Sequence, residues 1–326
     1  MTIINAHRRT LIFGASAALA LPGARAQAFP SRPIRIIVPT TPGGGYDNLG
    51  RLVAERLSPE LGVGVVVENR TGGGTLVGTQ VAAAAAPDGY TLVVGGLANM
   101  ALNAGLYKNP QYDPAVDFIP IALVASFSYC LVARRDLPQS TLEELLAHAR
   151  ANPGKLNMAT GGTGSGQHVA AVMLRKLGNI QMVEIPYKGA QAAYTDLVGG
   201  RVDLFFDNTT TAQPLIEAGR IKAIATSGTQ RDKSLPNVPT AIEAGLPGLV
   251  LESWLGIFAP ARVPGPALTR LREAMTRVVA QPDLRKRLED GGWRMLDTDP
   301  ATTEKFVRAE AERWPRFLRE AGISGE

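Results

Sequence analysis

Cysteine is almost missing from this sequence. Cys130 is the single one in 326 residues, so no internal disulfide can form and no cysteine cluster is available for zinc. Set in "SYCLVAR", it reads as a small buried hydrophobe of a strand. Histidine is nearly as scarce: His7, His148 and His168 are the only three, and no H-E-x-x-H occurs. His148 falls in "LEELLAHAR", on the surface side of a helical pattern, so no metal site is expected. Aromatic residues make up 6% of the chain, and no dense Lys/Arg run is interleaved with them, which excludes the usual footprint of a nucleic-acid binder. No glycine run leads into Lys-Ser or Lys-Thr, so a phosphate-binding P-loop is excluded. No apolar run reaches the roughly 20 residues that a membrane span needs.

What the sequence has is apolar mass and glycine. Hydrophobic residues make up 45%, charged residues 19%, and glycine occurs 35 times, enough for a core of one large domain or two smaller ones. The first 28 residues differ in kind from the rest. "MTIINAHRRT" carries Arg8 and Arg9, "LIFGASAALALP" is a short apolar run, and "ARAQA" offers small residues two apart. This pattern predicts a secretory signal peptide cleaved near Ala26 or Ala28 and a periplasmic mature protein. Arg8–Arg9 fits a twin-arginine export signal and equally the charged region ahead of any secretory signal. The formal charge of +5 drops by three when Arg8, Arg9 and Arg25 leave, since no acid accompanies them.

From Ile34 onward, strands and helices alternate: "IRIIVP", "NLGRLVAERLSPELG", "VGVVVEN", "LVGTQVAAAAAPDG", "YTLVVGG". A second series repeats the order from "KLNMAT" through "QHVAAVMLRKLG", "MVEIPYKG", "AYTDLVGGR" and "VDLFFDN" to "IKAIATSG". Near-continuous apolar strands between helices predict parallel sheets covered on both faces. Two long apolar runs, "FIPIALVASFSYCLVAR" and "LVLESWLGIFAPAR", flank the second series and predict a two-strand hinge. The expected fold is therefore α/β and two-lobed, with two doubly wound, mostly parallel sheets. Residues 29–125 form the first segment of lobe 1, 126–249 form lobe 2, and 250–326 supply the return hinge strand and the C-terminal helices of lobe 1. In those helices Leu268, Leu271, Met275 and Val278 share one stripe, and Pro282 opens a helix that Gly291 and Gly292 end.

Each series carries a glycine loop between its first strand and its first helix. "TTPGGGYDN" nearly matches the dinucleotide fingerprint, with Gly43, Gly45 and the acid Glu68, but Asn48 stands where the third glycine belongs. Asp47 would also meet the pyrophosphate at the helix start, like charge against like. No cofactor is expected. "ATGGTGSGQH" places Ser165 three residues before His168, but G-x-S-x-G would need glycine at Thr163 and Gln167. An exported carboxylate-acting enzyme would need an acid–base pair or a nucleophile that these residues do not assemble. What remains is binding: backbone N–H groups of a glycine turn at a helix N-terminus hold carboxylate as readily as phosphate. Two such turns facing across a hinge make a clamp for a small anion.

Several stretches in order, "FPSRPIRIIVP", "PGGGYD", "VVVENRTGGGTLVG", "AAPDGYTL", "NPGKLN", "TGGTGSGQH", "VEIPYKGA", "DLVGGRVDLFFDN", "LPNVPTAIEAGLPG" and "FAPARVPGPAL", resemble one family. From about Phe29 to the C-terminus the chain is similar to the periplasmic solute receptors of tripartite tricarboxylate transporters, the Bug family. The resemblance implies a Venus-flytrap protein, without catalysis, that closes over a small mono- or dicarboxylate, aliphatic, aromatic or an amino acid. It implies delivery to a membrane permease, or a sensing partnership with a membrane signalling protein, and a monomer. Carried over by position, the ligand contacts in lobe 1 are Thr40, Thr41, Gly43, Gly44, Gly45, Tyr46 and Asp47. Those in lobe 2 are Thr160, Gly161, Thr163, Gly164, Ser165 and His168, with Tyr187 and Asp207 lining the cleft. Asp47 and Asp207 are each candidates to take an amine or hydroxyl of the ligand, or to cap a helix. In this family the position of Thr40 is commonly aromatic and that of Tyr46 commonly small, so bulk is moved across the cleft and no named substrate is carried over.

Overall fold

The computed structural model describes residues 29–296, 299–320 and 322–324; the signal-peptide expectation falls on residues 1–28, outside the described residues. Lobe 1 opens with β1 (Ile34–Val38), α1 (Gly45–Leu61), β2 (Val65–Asn69), α2 (Leu76–Ala83) and β3 (Thr91–Gly96). The three strands are parallel in the order β2-β1-β3, with Ile36 opposite both Val67 and Leu92. All six residues of β3 are buried, as the middle of a sheet covered on two faces requires. Helix α1 lays Leu49, Leu52, Val53, Leu57 and Leu61 against that sheet, a 3.6-residue stripe. Gly50 brings its backbone so near that a Cβ there would meet Val38 and Val94 at 2.8 and 3.1 Å.

Short helices α3 (Asn103–Leu106) and α4 (Pro114–Asp117) lead into the 17-residue β4 (Phe118–Arg134). Lobe 2 follows as α5 (Leu142–Ala151), β5 (Asn157–Thr160), α6 (Gly166–Leu177), β6 (Val183–Pro186), α7 (Ala190–Val198), β7 (Leu204–Asn208), α8 (Thr209–Glu217) and β8 (Ile221–Thr226). Here β6-β5-β7 are parallel. The chain returns through β9 (Glu252–Pro260) and ends in α9 (Gly265–Ala280), α10 (Pro282–Asp290), β10 (Arg294–Met295) and α11 (Pro300–Glu320). In α9, Leu271, Met275 and Val278 are wholly buried, while Leu268 at the end of the stripe is only partly covered. Among the described residues no helix is long and apolar enough to cross a membrane.

The hinge differs from the expected pair of long strands. Only β4 runs through both lobes: its first part, Phe118–Ser128, pairs with β9, and its last part, Tyr129–Arg134, pairs with β7 and β8. As a result the strands follow one continuous path, β2-β1-β3-β9-β4-β7-β5-β6, in which β4 is common to the sheet of lobe 1 and the sheet of lobe 2. Strand β9 belongs to lobe 1 alone and begins at Glu252; the preceding Leu249 and Leu251 are apolar because they are buried, not because they pair as a strand. An apolar run reports burial and leaves pairing open. The return crossing is held by Ser227, whose N–H donates to the Tyr129 carbonyl (2.8 Å) and whose hydroxyl donates to the Leu251 carbonyl (2.5 Å) while accepting from the Tyr129 N–H (2.9 Å). Both crossings are thus tied to one buried side chain.

Candidate ligand-binding cleft

The carboxyl ends of β1, β2, β5, β6 and β7 all lead directly into helices, and those ends meet where the lobes face each other. Open α/β sheets offer their ligand crevice at this place. A cavity of about 860 Å³ lies there, and the residues preceding α1, α2, α6, α7 and α8 (Gly44, Thr75, Ser165, Gly189 and Asn208) all line it. The first turn of a helix has N–H groups without intrahelical partners and carries about half a positive charge. Five such ends converge on the cavity, so its field favours an anion although Lys188, at the exposed rim, is the only cation in its lining.

The helix ends are not equivalent. Ser165 Oγ accepts from His168 N–H (3.1 Å) and Asn208 Oδ1 from Thr211 N–H (2.9 Å), so α6 and α8 are capped by their own side chains. Helices α1 and α7 begin after Gly44 and Gly189 and receive no side-chain cap. Helix α2 has no side-chain cap either, but backbone carbonyls close its start, Leu76 N–H donating to Gly73 and Val77 N–H to Gly72; the first-turn N–H groups left to a ligand are those of α1 in lobe 1 and α7 in lobe 2.

The lobes touch on both sides of the cavity. On one side the Tyr107 hydroxyl of lobe 1 donates to the Thr163 carbonyl of lobe 2 (2.9 Å), and a Cβ on Gly74 would overlap that same carbonyl. Opposite, Gly189 packs on the Thr41 side chain so closely that a Cβ would overlap Thr41 Oγ1. Its φ of 170° is extended backbone open to any residue, so the glycine is needed for the approach between lobes and not for the turn. Gly189→Val is therefore expected to fold with a melting point close to that of the wild type. Its lobes should stay apart, seen as a larger radius of gyration in X-ray scattering, and ligand affinity should fall by about 100-fold, roughly 2.7 kcal/mol.

Of the expected site residues, Thr40, Thr41, Gly44, Gly45, Tyr46, Gly161, Thr163, Ser165, Tyr187 and Asp207 line the cavity. Gly43, Asp47, Thr160, Gly164 and His168 do not, and each has another task. Gly43 makes the turn at φ 84°, and its N–H donates to Asp47 Oδ2 (2.9 Å). Asp47 also accepts from Arg51 Nε (2.9 Å) and Asn69 Nδ2 (2.8 Å). Burial pushes its pKa up, but the bonds from Arg51, Gly43 and Asn69 outweigh this and hold it below the ordinary value. Asp47 orders the loop with both oxygens occupied. Thr160 is buried at the end of β5, its carbonyl accepting from Tyr187 N–H (2.9 Å). Gly164, at φ 85°, packs against Asn103 and Tyr107 of the opposite lobe. His168 turns towards Glu184 of β6, 3.6 Å away, and burial lowers its pKa despite that carboxylate.

Asp207 is the other acid singled out from the sequence, and its surroundings are the reverse of those of Asp47. It is 1% exposed at the cavity floor. Gln167 Nε2 donates to Oδ1 (3.2 Å), and the buried Tyr194 hydroxyl and the Asn208 N–H act on the same carboxylate. Burial raises its pKa to about 7, against the pull of the Asn208 N–H, Gln167 and Tyr194.

The sequence reading passed over the loop Thr71–Thr75, although "TGGGT" repeats the strand–glycine–helix pattern after β2; its residues line the cavity beside Tyr107. It also missed Phe127 and Tyr129, where the shared strand β4 passes under the cavity. Phe127 packs against Trp293 with the rings tilted by 60° and their centroids 4.9 Å apart.

Two lobes sharing a hinge strand, closed over a cavity of open helix ends, have the architecture of a solute-binding receptor. The family model described as "Tripartite tricarboxylate transporter family receptor" matches residues 49–323, and the chain belongs to that family. The solved structure of periplasmic binding protein BugD is similar, with 34% identity and a TM-score of 0.87, covering 91% of this chain and 99% of that one. MatC from Rhodopseudomonas palustris, solved with bound malate, has 34% identity and a TM-score of 0.84, with 88% and 99% covered. Rpa4515 from R. palustris, solved with adipate, has 32% identity and a TM-score of 0.86, with 91% and 99% covered.

Proposed function

We propose that this chain, exported to the periplasm and freed of its first 28 residues, captures a small carboxylate between its lobes and presents it to the membrane permease of a tripartite tricarboxylate transporter. The observation that carries the reading is the pair of uncapped helix ends, α1 in lobe 1 and α7 in lobe 2, facing one cavity. A carboxylate accepts from the free N–H groups of such ends. Because the two ends act together only when the lobes are shut, the anion favours the closed state through its differential affinity. The malate and adipate held by the two R. palustris relatives support the same ligand class.

A thermal-shift screen of residues 29–326 tests this against mono- and dicarboxylates, amino acids, sugars and nicotinamide dinucleotides. A ligand at 100 times its dissociation constant adds about 2.7 kcal/mol to stability. Carboxylates alone are expected to raise the melting temperature; a rise with dinucleotides or sugars alone would overturn the reading.

A further inference from the structure

Two amide side chains line the cavity, Gln167 and Asn208. Gln167 Nε2 donates to Asp207 Oδ1 (3.2 Å). Asn208, the last residue of β7, is 4% exposed, and its two amide atoms differ. Oδ1 accepts from both the N–H and the hydroxyl of Thr211, each at 2.9 Å, as the cap of α8. These bonds fix which way the amide points, because a flipped amide would set its N–H2 against the Thr211 N–H, donor against donor. Nδ2 is left with no hydrogen-bond partner, and it is not among the partnerless atoms that are sealed from the surface. Asn208 lines the cavity, so that is where the open surface of Nδ2 lies. Its place there is specific. Asn208 belongs to lobe 2, yet a Cβ on Gly45, the first residue of α1 in lobe 1, would stand 3.0 Å from Nδ2. Glycine at 45 thus leaves a gap between the bare start of α1 and a free donor from the facing lobe.

We propose that Asn208 Nδ2 donates to the same carboxylate group that the start of α1 holds, so that this one group is gripped by both lobes at once. The inference rests on the carboxylate reading and adds to it a side chain that ties the two lobes through the ligand. A largely buried N–H2 without an acceptor is costly, and a carboxylate in the gap supplies one. The acceptor is charged, which makes the bond stronger than one between neutral groups. Lobe 2 brings Nδ2 to α1 only when the cleft is shut, so the bond adds to the difference in affinity between the closed and open states.

Titration calorimetry with succinate, malate, adipate, glutamate and benzoate tests the inference, on variants that keep the cap of α8 and change only the group facing α1. Serine and aspartate cap a helix about as well as asparagine does. Asn208→Ser loses Nδ2; its melting point is expected to stay close to that of the wild type while affinity for the acids that bind falls at least about tenfold. Asn208→Asp puts a carboxylate oxygen where the N–H2 stood and is expected to lose more than about 100-fold, like charge facing like. A side chain serving only as a cap would leave affinity within a few-fold in both. A crystal structure of the wild type with the tightest of these acids needs no variant to fold. In it Nδ2 should lie within hydrogen-bond distance of a carboxylate group that also accepts from the Gly45 or Tyr46 N–H. Unchanged affinity in a folded Asn208→Ser, or an acid held at α1 with Nδ2 out of reach, would overturn the inference and leave the carboxylate reading standing; silence from every acid would remove both.

Discussion

Gly44→Phe is expected to abolish ligand binding while the protein still folds. Gly44 precedes α1 at φ −87°, ψ 172°, a conformation any residue adopts, and a Cβ there would meet only the Thr41 carbonyl oxygen, at 3.8 Å. The added ring therefore projects into the cavity, in front of the uncapped N–H groups. Exchanging glycine for an apolar residue before a helix costs about 1 kcal/mol, so the melting point should fall only slightly. No binding should be detectable by calorimetry at ligand concentrations 100 times the wild-type dissociation constant. Gly43→Ala is the matched control. That position does not line the cavity but sits at φ 84°, so alanine there should lower stability by about 1 kcal/mol or more through strain and leave affinity within a few-fold of wild type.

Asp207→Asn is expected to stabilise the ligand-free protein at pH 8. The folded-state pKa of Asp207, about 7, lies above its ordinary value of 3.8. Between these two values the folded protein holds a proton that the unfolded chain has released. Stability therefore falls as pH rises through this window, and the penalty is complete above about pH 7. At most it is on the order of 4 kcal/mol. Asparagine keeps the acceptor for Gln167 and cannot ionise, so the variant should melt higher than wild type at pH 8, with the gap closing towards pH 5. Chemical unfolding across that pH range measures the gap. An equal loss of stability at both pH values would mean that ionised Asp207 is well paired within the protein.

Much of this fold is written in local pattern. The parallel strands β1 to β3 and β5 to β7 follow from short apolar runs bounded by glycine and proline, and α9 and α10 from their stripe, Pro282 and Gly291. The shared strand was half legible. "FIPIALVASFSYCLVAR" forms a single strand, as its length implies, but nothing in it tells that Tyr129 changes partners from β9 to β7 and β8. That change depends on Ser227, nearly a hundred residues away in sequence.

At the cleft, the glycine loops before α1 and α6 were legible because strand, glycine and helix adjoin in sequence. The chain does not reveal which helix ends stay open. Ser165 and Asn208 cap their helices, and Gly44 and Gly189 leave theirs bare, a distinction of side-chain geometry. For the same reason Asp47 and Asp207 looked alike as acids beside a glycine loop or a helix start. An ion pair with Arg51 separates Asp47 from Asp207, which is buried among uncharged groups. His168, three residues after Ser165, seemed to face the ligand, yet the turn of α6 carries its ring to Glu184.

The grip of α1 and α7 on one carboxylate ligand between the lobes is open to direct observation. A crystal structure of residues 29–326 with the acid that shifts the melting temperature most tests it directly. Carboxylate oxygens are expected within hydrogen-bond distance of the first-turn N–H groups of both helices, from Gly45 and Tyr46 on one side and from Ala190 and Gln191 on the other. Density for the acid outside the cavity, or within it but touching only the capped helices α6 and α8, would show that α1 and α7 do not hold the ligand.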